Sequence, residues 1–328
     1  MLQQVGGRLL GKGSYACTFS PVPSCDTGGH AGGGTVAKVS VQDMTAEVAT
    51  GRTLMSLHGG RDYFALPMTS CKPRMPIADP DASKCHVLKK NKPLTMAAMP
   101  DAGMSLTAWF HSLDRARAAA SLQAVLVHVL RGMVIYQRSG FVHNDIHGGN
   151  IMVGEDGLAR YIDFGQGFRP AMLRSWEDLN LGRRFAAEYV WLAPEIHAFR
   201  ILGDSTAVNR LYSKIPEFKQ LETAYPDRKG FRKSMEEFQI ASDHVAYMRR
   251  HAFKIDWWRL GITLWHLWRR IRKGHEGTPM DRVIGGLTEF DPARRMSPRA
   301  ALSVLGGSGT RRLTRRASRR SSVKARRS

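Results

Sequence analysis

No stretch of this chain of 328 residues is a continuous apolar run long enough to cross a membrane, which takes roughly 18 such residues, so no span and no membrane partner is expected. Met1-Leu2-Gln3-Gln4 lacks a basic segment leading into an apolar one, which argues against a secretory signal. The expected location is therefore intracellular, cytoplasmic or nuclear. Cysteine is scarce: four residues at 17, 25, 71 and 85, with no CxxC pair and no zinc-ligand spacing. Reduced thiols in or near a core are expected, in keeping with that location. Acidic residues are missing altogether from Arg311–Ser328, where nine Lys/Arg stand. Removing those nine charges from the net +21 leaves +12 on the rest, so the body is basic in its own right.

What is present divides unevenly. Hydrophobic residues make up 43%, a normal fraction that excludes wholesale disorder. Residues 8–20 alternate and turn, Ser24–Gly34 is a Gly-rich loop, and Thr35–Ser40 is a short apolar strand. Thr45–His58 has the helical spacing of Val48, Leu54, Met55 and Leu57. Strand-like segments follow around Tyr63–Thr69, Cys85–Leu88 and Leu94–Met99. Leu113–Arg138 then reads as a long buried helix, with Leu122, Val125, Leu126, Val129, Leu130, Met133 and Val134 on most faces. Ile151–Val153 and Ala159–Ile162 flank an Asp156-Gly157 turn. Helical patterns dominate after about residue 195, Trp257–Trp268 among them. The expected class is α+β: a small sheet-rich lobe over 1–99, a mainly helical lobe over 100–310 with a cleft between them, and a disordered basic tail over 311–328.

Two motifs stand close together in the middle of the chain. His143-Asn144-Asp145-Ile146-His147-Gly148-Gly149-Asn150 is followed by Asp163-Phe164-Gly165, with Asn150 five and Asp163 eighteen residues after Asp145. The pair resembles the protein kinase catalytic loop, H-x-D-x-x-x-x-N, and its metal-binding D-F-G. The resemblance implies phosphoryl transfer, which asks the protein for positioning and charge neutralisation more than covalent chemistry. By that likeness Asp145 orients the attacking hydroxyl and accepts its proton. Asn150 and Asp163 hold Mg²⁺ or Mn²⁺ on the phosphates of ATP.

The N-terminal part carries the matching pieces. Leu10-Gly11-Lys12-Gly13-Ser14-Tyr15-Ala16 resembles the kinase Gly-rich loop with Ala16 for its third glycine, which makes Gly11, Gly13 and Ser14 phosphate-cover candidates. Val36-Ala37-Lys38-Val39 resembles the V-A-I-K strand, whose lysine meets the α- and β-phosphates. Glu47, the only Glu between Lys38 and Arg61, is the candidate to orient Lys38. Leu94–Pro100 resembles the hinge between lobes, where main-chain groups of Ala97 and Met99 are expected to bond adenine. Further on, Ala193-Pro194-Glu195, Asp256-Trp257-Trp258-Arg259-Leu260-Gly261 and Asp291-Pro292-Ala293-Arg294-Arg295 resemble A-P-E, D-x-W-x-x-G and D-P-x-x-R. The likeness implies an ion pair between Glu195 and Arg295, and an Asp256 that braces the catalytic loop.

Several positions depart from the family pattern. Asn144 replaces the usual Arg, so no phosphorylated activation loop is required. His147 replaces the Lys of Ser/Thr kinases, and D-x-H-x-x-N is typical of aminoglycoside and choline kinases instead. Glu188 stands where a Thr is usual before A-P-E, so Ser/Thr preference follows from family likeness alone. Glu195 and Asp256 are 61 residues apart, marking Ala198–His251 as a mostly helical insertion. Gly13–Pro21 with Cys25, then Arg61-Asp62-Tyr63-Phe64 and Cys71, is similar to Ser/Thr kinases of large DNA viruses, which adds host cell or virion to the locations. The expected activity is an ATP-dependent Ser/Thr protein kinase acting on basic or Ser/Arg-rich protein. The alternatives are a kinase of small metabolites and a pseudokinase or nucleic-acid-binding protein. Arg315-Arg316-Ala317-Ser318 and Arg319-Arg320-Ser321-Ser322 suit non-specific nucleic-acid binding, nuclear import or modification by basophilic kinases.

Overall fold

The computed structural model describes residues 8–13, 15–28, 35–77, 81–175, 189–200, 205–238 and 243–306. Ser14, Glu188 and the 311–328 tail lie outside them. The chain forms two compact units, Met1–Ser112 with Ile135–Met172, and Leu113–Val134 with Leu173–Ser328. Contacts thus group the segment bearing Asp145, Asn150 and Asp163 with the N-terminal sheet, whereas the expected lobes divide after residue 99.

In the first unit, β1 (Arg8–Lys12), β2 (Ala16–Ser20), β3 (Thr35–Ser40), β4 (Thr69–Cys71) and β5 (Thr95–Pro100) form an antiparallel sheet in the order β1-β2-β3-β5-β4. The period of two along a strand sets its faces. Cys17 and Phe19 of β2, Ala37 and Val39 of β3 and Met96 of β5 enter one core with Ile77, Cys85 and Val87. On the opposite face, Ala97 packs with Met44 and Val48. Helix α1 (Thr45–Met55) buries Glu47, Val48, Gly51, Leu54 and Met55, a stripe at the 3.6-residue period. Gly51 is required there, because a Cβ would stand 1.9 Å from the Pro67 carbonyl oxygen. A short helix α2 (Gly60–Tyr63) follows.

The four cysteines correct the expectation of free thiols. Cys17–Cys85 and Cys25–Cys71 are disulfides, with Cα separations of 6.1 and 5.9 Å. They are nested across 68 and 46 residues, and each cross-link of this kind contributes about 2–4 kcal/mol. Spacing alone could not reveal them, since four cysteines allow three pairings and no pair lies close in sequence. Cys85–Leu88 is likewise not a strand. Cys85 and Val87 are buried, which produces the alternation, but Leu88 N–H bonds the Cys85 carbonyl and Lys90 N–H the Val87 carbonyl, in 3₁₀ turns.

A second sheet, β6 (Met104–Ser105), β7 (Ile151–Val153) and β8 (Ala159–Tyr161), is antiparallel in that order. The β7–β8 turn closes at Gly157, whose φ of 74° suits glycine. Helix α3 (Leu106–Ser112) follows β6, and α4 (Arg115–Arg138) fills the span expected for the long helix. By length and average composition α4 is long and apolar enough to cross a membrane, and half of that stretch is buried inside the protein, as in a core helix. Ser121, Gln123 and His128 interrupt its alanines, valines and leucines without making the stretch polar on average.

The second unit is helical: α5 (Pro194–Arg200), α6 (Ser205–Lys214), α7 (Pro216–Ala224), α8 (Phe231–Phe238), α9 (His244–Trp268), α10 (Pro279–Leu287) and α11 (Pro298–Val304). Asp243, Thr278 and Ser297 accept N-terminal amides of α9, α10 and α11, and proline opens the last two. The inserted helices α6–α8 are part of this unit's core. The Phe218 and Phe231 rings stack at 4.4 Å and meet Phe290 at 5.7 Å each. Arg228 bonds the Gly285 and Thr288 carbonyls at 2.6 and 2.7 Å, and burial pulls its pKa down to about 10.

Candidate active site

The groups singled out in the sequence sit in the first unit. Gly11 lies opposite Thr18, Thr18 opposite Lys38, Lys38 opposite Ala97, and Ala97 opposite Ser70. Directly opposed residues share a sheet face, so these five form one row across five strands. With neighbouring strands about 4.8 Å apart, Gly11 lies about 10 Å from Lys38 along it. Within this row Lys38 stands between Thr18 and Ala97. Among the described residues a Cβ at Gly11 would meet nothing within 4 Å, so internal packing does not demand glycine there.

Lys38 Nζ donates to Glu47 Oε1 and Oε2 at 3.0 and 2.9 Å and to Asp163 Oδ1 at 2.9 Å. The one Glu picked by elimination is therefore the partner, and its place at the head of the buried stripe of α1 delivers it. Burial pulls the Lys38 ammonium down, but the Asp163 and Glu47 carboxylates outweigh it and leave the pKa raised. Burial pushes Asp163 up, and Lys38 more than reverses this. Glu47 stays raised, since burial and the Asp163 charge exceed the pull of Lys38. Lys38 is thus a held cation between two carboxylates.

The loop before β7 is tied to the strand after it. His143 is fully buried; its Nε2 donates to the Ile162 carbonyl at 2.9 Å and its Nδ1 accepts the Asp145 N–H at 3.3 Å. Asn150 Nδ2 donates to the Asp145 carbonyl at 2.8 Å and to Asp145 Oδ2 at 3.3 Å. Ile162 N–H returns to the Asn150 carbonyl at 3.1 Å. Asn144 and Asp163 have φ of 61° and 59°, a left-handed conformation that Asn and Asp tolerate best among residues with a side chain. Each costs of order 1 kcal/mol, and Asn144 is held there by its Nδ2 bond to the Gln166 carbonyl at 3.2 Å. The departure from Arg at 144 therefore has a local use: a short amide side chain stabilises the turn that presents Asp145.

The hinge assignment changes in one respect. Ala97 is paired with Lys38 on one side and Ser70 on the other, so its main chain is committed within the sheet and does not bond a base. Met99 pairs with Val36, and the β4 ladder ends at Thr69 opposite Ala98, so among the described residues β4 places nothing across from Met99. Thr18, which the motifs passed over, stands beside Lys38, and His147, noted in the sequence as a departure, stands beside Asp145. Register alone exposes Thr18. His147 Nε2 stands 3.9 Å from Asp145 Oδ2.

No family model matches the chain. A stretch of 77 residues, 23% of the chain, is 31% identical to Germinal center kinase 3 of Caenorhabditis elegans, and it spans 13% of that protein's length. Among solved structures the chain is similar to the Toxoplasma gondii specific rhoptry antigen kinase domain. The TM-score is 0.54 at 14% identity, over 92% of this chain and 79% of that one.

The fold is protein-kinase-like.

At that identity the likeness speaks for the fold alone. Within this kinase-like fold the donor set fits a hard divalent cation: a carboxylate from Asp163 and an amide oxygen from Asn150, whose Nδ2 is already turned to Asp145. Mg²⁺ sites with nucleotides commonly use one or two protein ligands and complete the shell with phosphates and water. Among the described residues no group of three or more His, Cys, Asp or Glu forms a metal cage, so the phosphates would supply the remaining oxygens. Elsewhere in the fold, Glu195 and Arg295 make the expected pair, at 2.8 and 3.0 Å with both side chains fully buried.

Proposed function

We propose that the protein transfers the γ-phosphate of ATP to a hydroxyl group, with a Ser or Thr side chain of a protein as acceptor. The observation that carries this reading is the bonding of Lys38 to both Glu47 and Asp163 within the same unit as the Asp145–Asn150 pair. Lys38 meets the α- and β-phosphates, and Glu47 holds it in place. Asp145 orients the acceptor hydroxyl and takes its proton. Asn150 and Asp163 hold Mg²⁺ or Mn²⁺, which neutralises phosphate charge as the transfer proceeds. Gly11 of β1 and Gly13 just beyond it cover the phosphates, and Met99 offers main-chain groups to adenine.

A second acceptor class, a hydroxylated small molecule, draws support from His147 in the D-x-H-x-x-N arrangement. One assay separates them. γ-Labelled ATP is supplied with a Ser/Arg-rich protein in one reaction and with aminoglycosides or choline in another. Label on phosphoserine or phosphothreonine supports the protein acceptor; label only on the small molecules contradicts it, and no label on any acceptor contradicts phosphotransfer.

The partner reading is a basic or Ser/Arg-rich protein substrate, with nucleic acid bound non-specifically through Arg311–Ser328. The likeness to kinases of large DNA viruses is part of the same reading. Reduced thiols no longer support an intracellular location, because the disulfides favour maturation in an oxidising compartment or persistence in a particle outside the cell.

A further inference from the structure

Beside the row that holds Lys38, a second row crosses the first sheet. Lys12 lies opposite Cys17, Cys17 opposite Val39, Val39 opposite Met96, and Met96 opposite Cys71. Successive residues of a strand alternate faces, so this row points away from the face that bears Lys38. Residues 72–92 cover it. Cys17 is bonded to Cys85 and Cys71 to Cys25, and Ile77, Cys85 and Val87 share a core with Cys17, Phe19, Val39 and Met96. The outward side of that cover is cationic. Residues 72–92 include six Lys/Arg against Asp79 and Asp81, and 82–92 have no acid at all. Lys84, His86, Lys89, Lys90 and Lys92 are exposed while Cys85 and Val87 are buried, so the 3₁₀ turns and the Cys17–Cys85 bond fix the backbone that bears the lysines. Neighbouring carboxylates leave most of this charge standing. Asp81 pairs with Lys84 at 2.7 Å and Asp26 with Lys72 at 3.9 Å; among the described residues none pairs with Lys89, Lys90 or Lys92. Lys84 holds the Asp81 carboxyl below its ordinary value, and Arg8 and Lys12 of β1 add to the pull, which puts two more cations within electrostatic reach of that carboxylate.

We propose that this lysine-bearing surface of the first unit binds the phosphate backbone of double-stranded nucleic acid, on the sheet face away from Lys38. The inference stands apart from the phosphotransfer reading and from the 311–328 tail. Lysine meets phosphate as a point charge, without the planar fork through which Arg matches carboxylates, and 82–92 contain no Arg. No large apolar side chain is exposed between 82 and 92, so the surface lacks the buried anchor on which affinity for a protein partner concentrates. It equally lacks an exposed aromatic ring on which unpaired bases would stack, which favours a duplex over a single strand. Backbone phosphates ask for a density of positive charge and for no sequence-reading group.

The test follows a mixed-sequence DNA duplex of about 20 base pairs by fluorescence anisotropy, from about 50 to about 200 mM salt. The full-length wild type is compared with two triple variants. One is Lys89→Gln/Lys90→Gln/Lys92→Gln; the other, Lys219→Gln/Lys233→Gln/Lys273→Gln, removes the same charge from exposed lysines of the second unit. Melting temperature and ATP affinity are recorded for each. A phosphate contact contributes about 0.9 to the slope of log affinity against log salt, so the first variant should lose about 2–3 from that slope and bind about 10–10²-fold more weakly at low salt. The second should change the slope by less than about 1. The tail is intact in all three proteins, so its share cancels. An unchanged slope in the first variant overturns the proposal, as do equal losses in both, which would make total charge the only determinant. Polyglutamate held by Lys89, Lys90 and Lys92 as tightly as the duplex overturns the assignment to nucleic acid. ATP affinity should be the same in the first variant as in wild type, because 72–92 cover the other face; a fall assigns these lysines to the nucleotide and also overturns the proposal. A wild type that binds the duplex through these lysines but takes up no ATP supports the proposal and overturns the phosphotransfer reading alone.

Discussion

Both units hold a cation against carboxylate, and the two arrangements differ in every respect that separates a working site from a brace. In the second unit all five N–H groups of Arg295 are used. Nε donates to the Glu289 carbonyl, Nη1 to Glu195 and the Lys254 carbonyl, and Nη2 to Glu195 and the Phe290 carbonyl. The pair is sealed, planar and bidentate, the geometry at which a buried ion pair repays its desolvation. In the first unit Lys38 is shared between two carboxylates, Asp163 stays 38% exposed, and the backbone at Asn144 and Asp163 is left-handed. Strain, exposure and a divided cation are unfavourable for stability and useful for a ligand that brings its own charges. The comparison teaches that similar ion pairs are told apart by what else they satisfy.

The predictions press on that contrast. The largest effect belongs to Asp145→Asn, which should lower phosphoryl transfer about 10²–10⁴-fold, as loss of a general base does, with ATP affinity retained. Steady-state kinetics beside equilibrium ATP binding checks both halves. Next, Arg295→Met should cost about 3–5 kcal/mol of unfolding free energy by stranding a buried Glu195. Lys38→Met should instead lower ATP affinity and kcat at a smaller cost in stability, because Asp163 stays open to water. Equal destabilisation by the two variants, read from denaturant curves, breaks the comparison. Reduction of the nested disulfides should remove about 2–4 kcal/mol for each bond, concentrated in the first unit. Hydrogen exchange with and without dithiothreitol should then show β2 and β4 losing protection and α10 keeping it.

The smallest effect is a pH dependence in the second unit. Burial raises the Asp281 carboxyl, but bonds from Arg272, Gly277 N–H and Trp268 more than offset it, leaving its pKa below the ordinary carboxylate value. A folded-state pKa that is lowered contributes stability above the unfolded value, which is lost as pH falls through the folded one. Urea midpoints for wild type and Asp281→Asn should therefore differ at neutral pH and converge from about pH 4 downward. A constant difference across that range contradicts the assignment.

The parts of the fold legible in the sequence were those set by local rules. β3, β5, β7, β8 and α4 emerged from period and turn residues, Lys38, Asp145, Asn150 and Asp163 from likeness to family motifs, and Glu47 by elimination. What was illegible depends on distant partners. The disulfides join residues 68 and 46 apart, and their loops have no local signal. Ala97 was matched to adenine through the likeness of its segment to a hinge, and only the register with β3 and β4 shows its main chain paired within the sheet. The insertion read as an appendage of unknown role; its Phe218 and Phe231 turn out to be fully buried, packed with Trp258 and Phe290. His147 was visible as a departure, but its tautomer follows from the bond that its Nδ1 accepts from Gly149 N–H.

The central claim is that Lys38, Asn150 and Asp163 converge on one metal-bound triphosphate. Calorimetric titration of ATP into the protein, with and without Mg²⁺, tests it most directly when wild type is set beside Asp163→Asn. The account predicts wild-type binding that tightens with Mg²⁺ and a variant in which the metal no longer changes the affinity. Undiminished Mg²⁺ dependence in Asp163→Asn, or no ATP binding by the wild type, would contradict it.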